Sequence, residues 1–217
     1  MGEQTIAELN AEAERSAKQA VRDFARGAVD GNLHLMASCF PSLDFGDVHG
    51  GGWARAMREI FRLPSVPGTT REWFLDIYLR YSEHIRHEGE DRALLSGLRM
   101  LLPRYDGPPL TLYRGDGFHN RCRRTYGPSW TSSIEVARGF AEDGVWRCTT
   151  GGSVLLEAYA PLEAIICAPA LIDDRYGESE YIVDRRKLPS GRVVERFASL
   201  SIDEFLARNK SMEPEFE

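Results

Sequence analysis

The sequence predicts an α+β fold in which helices come first and a mostly antiparallel, split β-sheet core follows. Two observations indicate this order. Apolar residues recur at helical spacing in the first half of the 217-residue chain. Beyond Pro108 and Pro109, short β-rich runs alternate with turns. We therefore divide the chain into a helical region at 1–105 and a β-rich core at 106–217, and leave open whether helices from about residue 69 pack as part of that core.

The helical region begins with a capping box. Thr5 and Glu8 have the spacing at which a threonine caps the helix and the glutamate bonds back to the cap. The turn-rich stretch 40–52 predicts a linker, because its glycines lack the preceding strand and the Gly-Lys-Ser/Thr ending of a phosphate-binding loop. Thr69 and Glu72 predict a second capping box at the start of the next long helix.

The β-rich core contains five predicted strands and one clear helix. The sequence "LPSGR" before the last run predicts a hairpin that joins the last two strands. Ser132 and Glu135 predict a capping box for the helix, and Phe140 falls on its predicted buried stripe. The five strand-like runs, in order, are Leu110–Gly115, Ser153–Tyr159, Ala164–Ala168, Glu180–Asp184 and Arg192–Phe197.

The composition is that of an ordinary soluble globular protein. Hydrophobic residues make up 42% of the chain and charged residues 28%, and no apolar run is long enough to cross a bilayer. The charged N-terminus does not resemble a secretory signal, so we expect the protein to be cytoplasmic where it is made, with delivery into a target or host cell left open. The cysteines are scattered and suit reduced thiols better than disulfides or a zinc site: Cys39, Cys122, Cys148 and Cys167.

Charge argues against some ligands and leaves others open. The formal net charge of −6 disfavours a nonspecific binder of nucleic-acid phosphates. A basic cluster at 119–127 is the local exception, and it suits a solvated loop and an anion-binding loop about equally. His84 and His87 lie one helical turn apart, but no third ligand follows at a recognisable spacing, so we expect no metal.

An arginine and two hydroxyl residues interrupt the apolar pattern of the β-rich core. Arg114 ends its strand on the same side as apolar residues, and Gly115 permits close backbone approach beside it. Alone, such an arginine is more often solvated than bound to a phosphate or carboxylate. Ser129 and Thr131 alternate with Trp130 and present two hydroxyls on one face of a short strand.

A glutamate pair forms the third polar interruption. Glu178 and Glu180 stand two residues apart at the entry of a strand, and strand spacing predicts that they point to the same side. An edge strand with an acidic exposed face is the alternative to a catalytic pair.

In order and in element type, the stretches "LYRG", "SWTSSIEVARGFA" and "GESEYIV" resemble the arginine, serine, glutamate group of mono-ADP-ribosyltransferases, which includes bacterial toxins and phage proteins. The resemblance runs from about Leu110 to Phe197, and the preceding helices are similar to the helical lead-in of that group. It implies a split-sheet catalytic core of ADP-ribosyltransferase type at 106–217. The implied reaction moves ADP-ribose from NAD to an acceptor and releases nicotinamide.

The resemblance also implies a role for each motif. It implies that Glu180 is the catalytic glutamate at the nicotinamide-side ribose and that Glu178 engages the acceptor. It also implies that the hydroxyl motif, Ser129 and Thr131, supports the nicotinamide pocket and orients the catalytic glutamate. The middle motif reads Ser-Trp-Thr-Ser where the group has Ser-Thr-Ser, so either hydroxyl residue is open as the one nearest Glu180. The residues implied to bind NAD are Arg114, Gly115, Ser129, Thr131 and Phe140.

The chemistry of the residues agrees with these roles. Cleavage of the bond between nicotinamide and ribose passes through an oxocarbenium-like state, which a carboxylate stabilises as in glycoside hydrolysis. Nicotinamide leaves without being protonated, so one carboxylate suffices at the sugar. The second carboxylate is then available to take a proton from the acceptor.

The acceptor and the biological role are less determined than the reaction. In the resembling group a glutamate at the position of Glu178 accompanies arginine acceptors, which predicts a protein arginine. The acidic net charge disfavours a nucleic-acid acceptor without excluding it. The alternatives are an NAD glycohydrolase, in which water is the acceptor, another non-arginine acceptor such as asparagine or a small molecule, and a non-catalytic binding module. The sequence does not choose between a regulator, a phage protein and an injected toxin or effector.

Overall fold

The computed structural model describes residues 5–45, 51–88, 91–143, 145–148 and 150–210. The fold is α+β, with N-terminal helices followed by an antiparallel sheet. The chain divides into two units, 1–104 and 105–217, one residue away from the division expected from the sequence. The helices that begin near residue 69 fall within the first unit rather than with the sheet.

The first unit is helical throughout its described elements. Its start is the predicted one, because Thr5 Oγ1 accepts from the Glu8 amide at 3.3 Å while Glu8 Oε2 accepts from the Thr5 amide at 2.8 Å. The helices are α1 (Ile6–Asp30), α2 (Leu33–Ser38), α3 (Phe40–Phe45), α4 (Gly52–Phe61), α5 (Gly68–Glu88) and α6 (Asp91–Leu101).

Two sequence predictions for the first unit are wrong. The stretch expected to be a linker is helical at Phe40–Phe45 and again from Gly52, while 46–50 lies outside the described residues. The apolar side chains there explain the difference, because the Phe40 and Trp53 rings pack edge to face with their centroids 5.2 Å apart. Helix α5 begins at Gly68, so Thr69 lies inside the helix and does not cap it.

The second unit carries the sheet. The last two predicted strands do not form a hairpin, since β6 pairs with β3. Strand β5 already has β4 on one side and β2 on the other, so it has no free edge for β6. The elements are β1 (Leu110–Gly117), α7 (Phe118–Arg123), β2 (Ser129–Thr131), α8 (Ile134–Asp143), β3 (Ser153–Ala160), β4 (Ile165–Cys167), β5 (Glu180–Val183), β6 (Arg192–Phe197) and α9 (Ile202–Lys210).

The six strands form one antiparallel sheet in the order β4-β5-β2-β1-β3-β6. The sequence predicts a split sheet, whereas hydrogen bonds join all six strands. The narrowest join lies between β1 and β2, which pair at one position, Tyr113 opposite Thr131. The strands that carry the three polar motifs are therefore neighbours in the middle of the sheet.

The two faces of the sheet are covered differently. One face carries the apolar core of the unit, which includes Leu112, Trp130 and Leu156. Helix α8 covers the other face near Gly115, where an added Cβ would lie 2.4 Å from the Ala137 oxygen and 2.4 Å from the Ala141 nitrogen. A residue without a side chain is therefore needed at this point of β1 for the helix to pack on the sheet.

Candidate functional site

The three polar motifs meet on three adjacent strands. In the β2–β5 pair Thr131 lies opposite Glu180, and in the β1–β2 pair Thr131 lies opposite Tyr113. Residues opposite one another in an antiparallel pair share a face, with Cβ atoms about 4.5–5.5 Å apart. Tyr113, Thr131 and Glu180 thus form a row across the sheet. The register makes Thr131, rather than Ser129, the hydroxyl residue directly opposite Glu180.

The loop before β5 is fixed to β2 by hydrogen bonds. Thr131 Oγ1 donates to the Glu178 carbonyl at 2.7 Å, and the Ser132 amide donates to the Ser179 carbonyl at 3.2 Å. Within the loop, the Ser179 amide donates to Asp174 Oδ1 at 3.0 Å. The Thr131 hydroxyl also accepts from the Ser133 amide at 3.0 Å, so it links the loop to the start of α8.

The glutamate pair does not have the geometry that strand spacing predicts. Strand β5 begins at Glu180, and Ser179 adopts a left-handed conformation with φ 48°. Gly177 is also left-handed, with φ 63°. The prediction that strand spacing relates the two glutamates is therefore wrong, because the chain turns between them. Glu178 belongs to a bound loop and Glu180 to the strand.

The electrostatic surroundings of Glu178 favour its protonated form. Partial burial raises the pKa of the Glu178 carboxyl, and the negative charge of Asp174 raises it further. A carboxylate whose pKa lies above its ordinary value is a better proton acceptor. Glu180 is half-buried at the head of β5.

Arg114 is buried in an ion pair with Asp116. The exposed fractions of the two side chains are 9% and 0%, and Arg114 Nε lies 2.7 Å from Asp116 Oδ2. Asp116 Oδ1 accepts from the Gly117 amide at 2.7 Å and from Asn120 Nδ2 at 2.8 Å. Burial alone would raise the pKa of Asp116, but the charge of Arg114 and these hydrogen bonds hold it below its ordinary value.

Arg114 also connects β1 to β2. Its Nη1 donates to the Ser129 carbonyl oxygen, so the guanidinium supports the weakly paired edge of β1. Strand alternation directs Arg114 to the core face, with Leu112, and Glu180 to the opposite face, with Thr131. The alternative of a solvated arginine is wrong, and direct contact between Arg114 and the NAD phosphates stays a prediction.

The remaining predicted residues have separate positions. Ser129 is half-buried and lies opposite Ile182, one side-chain position away from the row with Glu180. Gly115 faces the backbone of α8, which explains the glycine by packing. Phe140 does not belong to a buried stripe, because half of it is exposed on α8.

The cap of α8 is shifted by one residue from the prediction. Ser133 Oγ, not Ser132, accepts from the Val136 amide at 3.2 Å, and α8 begins at Ile134. Ser132 instead uses its backbone amide to hold the loop before β5. Ser133 therefore caps the helix, and the adjacent Ser132 binds the loop.

Sequence reasoning misses two residues at this site. Tyr113 lies in the row with Thr131 and Glu180. Strand alternation could have identified it from the sequence, because it places Tyr113 on the face of β1 opposite to that of Leu112 and Arg114. Asp116 follows Arg114 by two residues, so strand alternation already places both side chains on one face. A carboxylate beside a buried arginine is the expected neutralising partner.

The thiols form no disulfide, and the potential metal ligands do not cluster among the described residues. All four cysteines are free, and burial raises the pKa of Cys167 to about 12, which leaves it a poor nucleophile. Among the described residues, no group of three His, Cys, Asp or Glu side chains is placed to hold a metal ion. The side chains of His84 and His87 lie outside the described set. No helix in the described ranges has the length and apolar character needed to cross a bilayer.

Comparison of the chain with protein families, with curated proteins and with solved structures found no match.

Proposed function

We propose that the protein is an NAD-dependent mono-ADP-ribosyltransferase that transfers ADP-ribose to a protein arginine. The observation that carries the proposal is the meeting of three motifs, far apart in sequence, on the adjacent strands β1, β2 and β5. Hydrogen bonds from Arg114 to Ser129 and from Thr131 to Glu178 join them in the order that the resemblance to the arginine, serine, glutamate group implies.

Glu180 supplies the carboxylate for bond cleavage. When the bond between the ribose C1′ and the nicotinamide nitrogen breaks, its electron pair leaves with nicotinamide and positive charge develops on the ribose. A fixed carboxylate beside that charge lowers the barrier. Thr131, buried and opposite Glu180, fixes the strand on which this carboxylate is carried.

Glu178 activates the acceptor. An arginine guanidinium attacks the ribose C1′ as nicotinamide departs, and it must lose one proton to form a stable bond. The raised pKa of Glu178 suits it to accept that proton, and a carboxylate at this position attracts the cationic acceptor. The hydrogen bond from Thr131 holds this part of the loop against β2, next to the start of β5.

The test is incubation of the full chain with labelled NAD, with and without agmatine as a small guanidinium acceptor. Glu180→Gln is expected to lower nicotinamide release by on the order of 100-fold or more, since it removes a charge aimed at the transition state. Glu178→Gln is expected to retain release into water and to lose labelling of agmatine. The exposed residue Glu163, changed to glutamine, is the matched control and should behave as wild type.

Three outcomes separate the alternatives. Full nicotinamide release by Glu180→Gln would refute the assignment of the reaction. Nicotinamide release without labelling of agmatine or of cell lysate would identify an NAD glycohydrolase. Lysate label that resists protease and is removed by nuclease would move the acceptor from protein to nucleic acid.

A further inference from the structure

A basic surface forms where two distant segments meet at one edge of the sheet. One segment is α7, which follows β1, and the other is the 3₁₀ helix Arg185–Lys187, which follows β5. Both β1 and β5 run antiparallel to β2, which lies between them, so the C-terminal ends of β1 and β5 lie at the same end of the sheet. Arg185 Nη1 donates to the Tyr126 carbonyl at 3.0 Å, and Arg121 Nη2 donates to the Gly191 carbonyl at 3.1 Å, so each segment is bonded to the residues that follow the other.

The exposed side chains of this basic surface carry positive charge. Within 117–128 and 184–192, which the structure describes in full, the one acidic residue is Asp184, and its side chain is 1% exposed and lies 2.7 Å from Arg186 Nη2. Arg123, Arg124 and Lys187 are exposed, and none of them makes an ion pair with another described residue. The basic residues of the surface are His119, Arg121, Arg123, Arg124, Arg185, Arg186 and Lys187.

The backbone at Arg124 shows that helix termination does not explain this residue. Arg124 follows the last residue of α7 with φ 54°, a left-handed conformation in which glycine or asparagine is the usual occupant. An ordinary side chain there is strained. The chain keeps a long cationic side chain at a position that its local structure disfavours, which points to a requirement for the charge.

The composition of the surface selects among anionic partners. Arginine dominates, and its planar fork matches the oxygens of a phosphate. No large apolar side chain is exposed at 117–128 or at 184–192, ranges that the structure describes in full. Membrane surfaces and protein partners are generally held by exposed apolar anchors, whereas the backbone of a nucleic acid is held by charge.

We propose that this basic surface binds the phosphate backbone of a nucleic acid strand. The inference goes beyond the proposed function, because none of its residues belongs to the candidate catalytic row. Strand β5 separates the two places, with Glu180 at its start and the basic surface after its end, roughly 10 Å along the strand. A nucleic acid bound here would bring its own associated proteins, or its own bases, near the glutamates at the other end of β5.

The test is fluorescence anisotropy of the full chain with labelled 20-nucleotide DNA and RNA strands, without NAD, from 50 to 200 mM salt. The triple variant Arg123→Gln, Arg124→Gln, Lys187→Gln removes three cations from the surface. Each lost phosphate contact lowers the magnitude of the negative slope of log affinity against log salt by about 0.7, so three lost contacts should make the slope shallower by about 2. If the variant and wild type bind equally at 1 M salt, this difference in slope makes the variant on the order of 100-fold weaker than wild type at 0.1 M salt.

A matched control changes the same amount of charge elsewhere. Arg15→Gln, Lys18→Gln, Arg22→Gln removes three exposed cations from α1 and should leave the slope close to that of wild type. Arg124→Gly alone separates folding from binding. Relief of the left-handed strain should raise the thermal midpoint, whereas loss of the cation should weaken binding.

Several results would overturn the proposal. These are absence of wild-type binding at 50 mM salt, equal losses in the two triple variants, and an unchanged salt slope in the surface variant. Displacement of the strand by saturating NAD would assign the surface to the NAD phosphates instead. Equal or tighter binding to vesicles containing phosphatidylserine would assign it to a membrane.

Discussion

Replacing Asp116 with alanine is expected to destabilise the C-terminal unit by about 3–5 kcal/mol, the usual cost of removing one partner from a buried ion pair. Asp116 is fully buried and Arg114 is 9% exposed, so the guanidinium would keep its charge without its partner. The Gly117 amide and the Asn120 side-chain amide would lose their acceptor as well.

A second ion pair in the same sheet is the matched control. Glu157 Oε1 lies 2.9 Å from Arg192 Nη2, close to the 2.7 Å of the buried pair, but the exposed fractions are 27% and 69%. Glu157→Ala should therefore cost at most about 1 kcal/mol. Distance is similar in the two pairs, so the difference in cost measures the effect of burial.

Hydrogen–deuterium exchange of peptides from β1 and β3 is the assay, because it reports the opening free energy of the C-terminal unit within the full chain. Adding Arg114→Met to Asp116→Ala should recover part of the loss, since the uncompensated charge is then gone. Equal costs for the two alanine variants, or a double variant no more stable than Asp116→Ala, would refute the reasoning.

The pH dependence of the same pair has a definite sign. Because the folded pKa of Asp116 lies below its ordinary value, its contribution to stability is fully present above the unfolded pKa of about 3.9. That contribution is lost as the pH falls through the lower, folded pKa. The stability difference between wild type and Asp116→Asn should therefore be constant above about pH 5 and shrink in more acidic solution.

Three further predictions concern the packing and the loop around β2. Gly115→Ala should destabilise the protein by about 1–3 kcal/mol, because its Cβ would meet the backbone of α8. The control Gly139→Ala, whose Cβ has nothing within 4 Å, should raise the thermal midpoint. Similar shifts in thermal midpoint for both variants would contradict this packing. Ser133→Ala should cost about 1 kcal/mol and Ser132→Ala almost nothing in thermal unfolding, and the reverse order would restore the cap predicted from sequence. Thr131→Val should speed hydrogen exchange in the loop before β5 and lower nicotinamide release with little change in NAD affinity; an unchanged loop would show that the hydroxyl does not hold it.

Local interactions were predictable from the sequence. The capping box at Thr5 and Glu8 forms because both partners lie within one helical turn, and the pattern needs nothing else from the fold. The burial of Arg114 on the same face as Leu112 follows from strand alternation in the same way. The order of helices and strands rests on periodicities that neighbouring residues determine.

Strand pairing was not predictable to the same degree. The turn residues before β6 indicate a reversal of the chain but not the strand that β6 will meet. The free edge of β3 decides that, and it depends on β5 lying between β4 and β2. The pairing partner of a strand depends on the whole sheet, so a short stretch of sequence does not determine it.

At the candidate site, the positions of the motifs were predictable and their geometry was not. The sequence places Glu178 and Glu180 at a strand entry, and the structure agrees. The left-handed conformation of Ser179, which interrupts the strand spacing between the two glutamates, depends on hydrogen bonds from β2 and Asp174. Serine has no marked preference for that conformation, so nothing at this position announces it.

The insertion of β5 between β4 and β2 has a consequence for the order of folding. Strands β1 and β3 are long and pair along their full length, so they can form soon after residue 160 is synthesised. The bond that fixes the loop before β5 joins Thr131 to the Glu178 carbonyl, so it requires a segment that is synthesised after β3. A β1–β3 pair can therefore form on the ribosome before the row of Tyr113, Thr131 and Glu180 is complete, because that row requires β5 to enter between β2 and β4.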